Sequence, residues 1–79
     1  MKRIVVLHRG WVVVGDYAKK GSEIVVSNAL VIRRWGTTKG LGQLRSGPLA
    51  NTVLDHVGTA RCHELAVVFT IDCEKGSWI

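Results

Sequence analysis

The sequence predicts an all-β fold: a small antiparallel barrel or bent sheet of six to seven short strands, with one long glycine-rich loop. Three observations carry this expectation. The apolar runs are short, rich in Val and Ile, and bounded by turn residues. No long helix is legible, because residues 49–63 place their apolar side chains at irregular spacing and Gly58 interrupts them. With 79 residues, 1–79 reads as a single β-rich domain, and short connections between strands then favour antiparallel pairing.

The strands follow in order. Arg3–His8 is the first, and Arg9-Gly10 punctuates it. Trp11–Tyr17 is the second, with Trp11 heading an apolar run as a core residue. Ala18–Ser22 is a polar hairpin loop carrying Gly21. Glu23–Ser27 and Leu30–Trp35 are the third and fourth, with Asn28-Ala29 as a break or bulge between them.

Residues 36–51, GTTKGLGQLRSGPLAN, lose the two-residue alternation and hold four of the nine glycines and the sole proline. Leu41–Leu44 fits one helical turn, and the rest reads as loop. A structureless loop longer than about 12–15 residues is uncommon in a compact domain unless it has a job. Strands resume at Thr52–His56, turn at Val57-Gly58, pair back over Thr59–His63 and finish with Ala66–Cys73. Trp78-Ile79 reads as an exposed end, with Trp78 either covering the sheet or entering an interface. Among small barrels, an SH3-like architecture fits this run of hairpins best.

Hydrophobic residues make up 47% of the chain and the mean hydropathy is +0.19, a large apolar load for so small an interior. Val12–Val14, Ile24–Val26, Leu30–Ile32 and Ala66–Phe69 are apolar at consecutive positions. Successive strand side chains face opposite ways, so these strands are apolar on both faces. With no helices to cover the second face, a homo-oligomer is favoured over a monomer. The alternative is a closed barrel whose outer face is partly covered by the long loop and the tail.

Lys2-Arg3 precede an apolar run that His8 ends at once, short of the roughly 7–15 apolar residues of a signal peptide. It is shorter still than the about 20 of a membrane-spanning helix, so no membrane partner is expected. A cytoplasmic location follows, and two cysteines, Cys62 and Cys73, suit a reducing compartment. The net charge is +5, unevenly spread: residues 24–54 carry Arg33, Arg34, Lys39 and Arg45 with no acid at all. Such a patch points to a phosphate-bearing or acidic partner, and its plainer reading is a solvated face.

The residues Arg33, Arg34, Trp35, Gly36, Thr37, Thr38, Lys39 and Gly40, with Arg45 beyond, form the candidate ligand site. Glycines free the backbone to turn N–H groups toward an anion. Arginine grips phosphate with two donors, and an indole stacks on a base. Neither the P-loop spacing nor the dinucleotide fingerprint is present. Arg33 and Arg34 are adjacent at a strand end, so at most one shares a surface with Lys39. His56, Cys62, His63 and Cys73 lack the paired spacing of a zinc site, so no metal or cofactor is expected. Asp55-His56 and His63-Glu64 are neighbours on strands and diverge, which argues against a catalytic dyad and against an enzyme.

RGWVVVGD, IRRWGTTKGLGQL, the GP…TVLD that follows and GTARCHELAVVFTID together resemble a family of short proteins of tailed phages and prophages that have no assigned activity. The resemblance covers nearly the whole chain, and WGTTKGLG followed by TVLD is its most specific piece. It implies an accessory protein acting inside an infected bacterium, of a kind that binds nucleic acid or host factors, defence-system components included. Two functions are therefore expected in competition. One is a non-enzymatic module holding nucleic acid or a nucleotide; the other is an inhibitor that docks on a host protein.

Overall fold

The computed structural model describes residues 1–78 and builds them into one antiparallel sheet. Its five strands are β1 (Lys2–Leu7), β2 (Val12–Lys20), β3 (Glu23–Arg34), β4 (Val53–His63) and β5 (Val67–Asp72). They lie in the order β4-β3-β2-β1-β5, so the last strand returns to pair with the first. Short 3₁₀ turns occupy His8–Gly10, Leu41–Ser46 and Glu64–Ala66.

Five strands replace the six or seven that the sequence predicts, for a local reason. Glu23–Ser27 and Leu30–Trp35 are one strand, and Thr52–His56 and Thr59–His63 are another. The residues that were to divide them bend the strands instead. Asn28 takes a left-handed φ of 51° and Gly58 one of 76°. Ala29 pairs with Gly58, and the β3–β4 register shifts on both sides of that pair. A facing pair of irregularities sharpens twist without reversing the chain. The expected tight turn at Val57-Gly58 is therefore a bulge. The β2–β3 hairpin is also tighter than expected, since Lys20 pairs with Glu23 and only Gly21-Ser22 turn.

The sheet curls strongly but is not a closed barrel: no β4–β5 ladder joins its edges among the described residues. Only Glu64–Ala66 spans from the end of β4 to the start of β5. Inside the curl, Val5, Val13, Ile24, Val26 and Ala29 form one buried cluster, with Cys62 of one edge strand and Val67 of the other packed against it. On the other face, Ile4, Val12, Val14 and Ile32 are buried by Leu41, Leu44 and Trp78.

Much of both apolar faces is covered within one chain, the first by curling and the second by loop and tail, while Val68 and Phe69 of the run Ala66–Phe69 stay 55% and 51% exposed. Trp78 is 5% exposed and belongs to this core, so the expected exposed end does not apply to it; Ile79 lies outside the described residues. Trp11, expected in the core, is 59% exposed, because it sits on the connector before β2 rather than within the strand.

Gly15 is required by packing. A Cβ there would stand 2.7 Å from both the Ser27 carbonyl oxygen and Val26 Cγ1. It marks the register shift between Val14 and Asp16, where β2 bends against β3.

Candidate functional site

The long loop is held at its neck and pinned from beneath. At the neck, Gly36 has φ 65°, and a Cβ on it would run into the Asn51–Thr52 backbone. Thr52 Oγ1 donates to the Trp35 carbonyl at 2.7 Å and accepts from the Leu49 N–H at 2.9 Å. Beneath, the 3₁₀ turn Leu41–Ser46 buries Leu41 and Leu44 on the sheet, as the expected helical turn over Leu41–Leu44 implied. The Trp78 indole N–H donates to the Leu44 carbonyl at 2.8 Å.

Two of the loop's backbone donors are already engaged. Gln43 Oε1 accepts the N–H groups of Thr38 at 3.0 Å and Lys39 at 3.1 Å. A side-chain oxygen thus occupies two of the N–H groups that a bound anion could otherwise use.

The nine candidate residues divide among three neighbourhoods. Arg34 lines an open hollow with Gly36, Thr37, Thr38, Asn51 and Thr52. Lys39 lines another with Gln43, Arg45 and Ser46, and Gly40 (φ 90°) turns the chain between them. Arg33 faces elsewhere: it grips Asp55 with two prongs, Nε to Oδ2 at 3.0 Å and Nη2 to Oδ1 at 3.3 Å. Trp35 is 42% exposed beside the neck. Arg45 pairs with Glu74 at 3.6 Å, and its carbonyl accepts the Glu74 N–H.

The ion pairs decide where the charge lies. All six acidic side chains are paired: Asp16 with Lys2, Asp72 with Arg3, Glu64 with Lys19, Asp55 with Arg33, Glu74 with Arg45 and Glu23 with Arg61. Six of the eleven cations are consumed. The net charge of +5 therefore resides on Arg9, Lys20, Arg34, Lys39 and Lys75, which have no acidic partner among the described residues. Two of the five, Arg34 and Lys39, lie at the loop.

Sequence reasoning missed Arg9 and Trp11. They share a hollow with Gly10, Val12, Val31, Ile32 and the Arg33–Asp55 pair. The available signal was Arg9-Gly10 itself, whose turn character puts the next residue on a connector.

Both acid–histidine neighbours are otherwise occupied, Asp55 by Arg33 and Glu64 by Lys19 at 2.8 Å. His63 Nδ1 accepts the Leu65 N–H at 3.1 Å. Burial, then Glu23, raises the Cys62 thiol above its ordinary pKa; burial, then Asp72, raises that of Cys73. No group of three or more His, Cys, Asp and Glu is placed to hold a metal among the described residues. No helix is long and apolar enough to cross a membrane. No family model matches the chain, and no curated protein matches it in sequence.

Proposed function

We propose that this protein is a non-enzymatic binding module for a phosphate-bearing ligand, nucleic acid or nucleotide, held by side chains of the loop that follows β3. One observation carries the reading. Every Asp and Glu side chain is ion-paired, so the uncompensated side-chain charge falls on a few cations, and Arg34 and Lys39 place two of them on a loop with Thr37 and Thr38. A guanidinium beside hydroxyls suits phosphate, while acidic groups that would repel it are screened by their own partners.

An SH3-like strand arrangement, as a curled sheet rather than a closed barrel, is part of this proposal. It is supported by the return of β5 to β1 and by the single 3₁₀ turn that precedes β5. The setting, an accessory protein in the cytoplasm of a phage-infected bacterium, rests on the resemblance of RGWVVVGD and WGTTKGLG alone. A second reading, docking on a host protein, is favoured by a separate feature: Leu65, Val68 and Phe69 are 76%, 55% and 51% exposed at and beside the edge strand β5.

The test is the salt dependence of binding to inorganic polyphosphate and to an oligonucleotide. Arg34→Ala with Lys39→Ala is expected to weaken both and to flatten the plot of log affinity against log salt. The slope should fall by about 0.7 for each lost contact to a single strand. Binding unchanged by the double substitution removes the loop from the account. Capture of one host protein that survives nuclease treatment supports the second reading.

A further inference from the structure

Trp11 is delivered to the surface by an unusual piece of backbone. Arg9 takes φ 66° and ψ 23°, and Gly10 follows at φ 81°. The Leu7 N–H closes the turn on the Trp11 carbonyl at 2.8 Å. Successive positive φ values are what a tight turn between two antiparallel strands requires, so the turn itself fixes where Trp11 emerges. Arg9 is exposed and has no ion-pair partner among the described residues.

The hollow beside this turn lies at the end of the strands and is lined by Arg9, Trp11, Val12, Val31 and Ile32. The Arg33–Asp55 fork presents a fixed polar edge. A flat aromatic ring of mixed polarity suits such a place: its face stacks on the indole, and its edge meets guanidinium and carboxylate. Arg34 is the next residue of β3, so its side chain leaves the strand on the opposite face, toward the loop hollow. A ligand touching both hollows must pass around the end of β3. A single strand can splay a base onto the indole, whereas a duplex keeps its bases stacked away from it.

We infer that Trp11 is a base-stacking site for single-stranded nucleic acid, whose backbone runs from Arg9 around the end of β3 to Arg34. This rests on the phosphate-binding reading above and adds to it a polymer, a strandedness and a second hollow. Among the described residues the only carboxylate lining either hollow is Asp55, which is paired with Arg33, so the path is open to a polyanion.

The experiment compares a fluorescent twelve-nucleotide oligo(dT), thymidine monophosphate and inorganic polyphosphate on four proteins: the parent, Trp11→Ala, Trp11→Phe, and Arg34→Ala with Lys39→Ala. Trp11→Ala is expected to weaken the oligonucleotide by about tenfold. It should leave polyphosphate binding and the salt slope unchanged, and Trp11→Phe should restore most of the loss. Blue-shifted emission from buried Trp78 confirms that each variant is folded. Oligonucleotide binding unaffected by Trp11→Ala overturns the inference, as does an equal loss for polyphosphate. Thymidine monophosphate binding as tightly as the oligonucleotide overturns it too. In all three cases a loss of polyphosphate in the Arg34/Lys39 variant leaves the phosphate reading standing. A parent protein that binds none of the three ligands removes both.

Discussion

The Trp78 indole N–H donates to the Leu44 carbonyl at 2.8 Å, across 34 residues of chain, and so ties the tail to the centre of the long loop. Both residues are buried, and together they close one face of the sheet over Ile4, Val14 and Ile32. Trp78→Ala should remove the ring and its hydrogen bond, costing about 3–5 kcal/mol. Trp78→Phe keeps most of the packing and leaves the Leu44 carbonyl its second donor, the Gly47 N–H at 3.0 Å, so it should cost only about 0.5–1.5 kcal/mol. Urea denaturation of the two variants checks the order.

The two glycines of the bent strands should respond differently to alanine. At Gly15 the added Cβ meets a backbone oxygen and a valine methyl at 2.7 Å, so the sheet must shift, at about 1–3 kcal/mol. At Gly58 the space is open, and only the φ of 76° resists, at about 1–2 kcal/mol. Thermal melts should place Gly15→Ala at or below Gly58→Ala.

The three indoles should separate in a quenching experiment. Trp11 and Trp35 are exposed, and unpaired cations lie on neighbouring residues, whereas Trp78 is buried. Relative to free N-acetyltryptophanamide, the ratio of iodide to caesium quenching should be raised for the first two, because cations gather the anion. With both replaced by phenylalanine, the remaining emission should be nearly blind to either ion. A ratio equal to that of the free indole in the parent would deny the surface its local positive charge.

Asp16 gives the fold an acid sensitivity. The Asn28 amide and then the Lys2 ammonium, both at 3.1 Å, hold its pKa below the ordinary carboxylate value. A depressed acid stabilises the fold above its unfolded pKa, and that contribution is lost as pH falls through the folded value. Chemical denaturation from pH 6 down to pH 2 should therefore show a stability loss that Asp16→Asn reduces. An identical pH profile in the variant contradicts the assignment.

Both thiols should be sluggish nucleophiles. Burial raises Cys62 and Cys73, which lowers the thiolate fraction available near neutrality. Alkylation by iodoacetamide at pH 8 should be slower in the native protein than in urea for both. Rapid modification of either would place it in a more polar environment than the one described.

Much of the fold was legible locally. Strand character follows from Val- and Ile-rich runs, so β1, β2 and β5 fall close to their predicted spans, and the turn at Leu41–Leu44 follows from two leucines three residues apart in a glycine-rich segment. The composition of the loop, with its cations and hydroxyls, was equally plain. Its partition was not: adjacent Arg33 and Arg34 signal divergence, but only Asp55 on the neighbouring strand decides that Arg33 is the one neutralised.

What the sequence determined by itself is what short-range chemistry controls: strand propensity, the places where glycine or asparagine permits positive φ, and the excess of positive charge. What the tertiary structure decided is everything that depends on the partner across the gap. Asn28-Ala29 became a bulge rather than a break, and Gly58 a bulge rather than a turn, because Ala29 found Gly58 on the next strand. Trp11 is exposed and Trp78 buried because alternation assigns a side chain to a face, while cover comes from segments distant in sequence. The loop, the tail and the curl of the sheet supply that cover here, and no local pattern announces which residues they will reach.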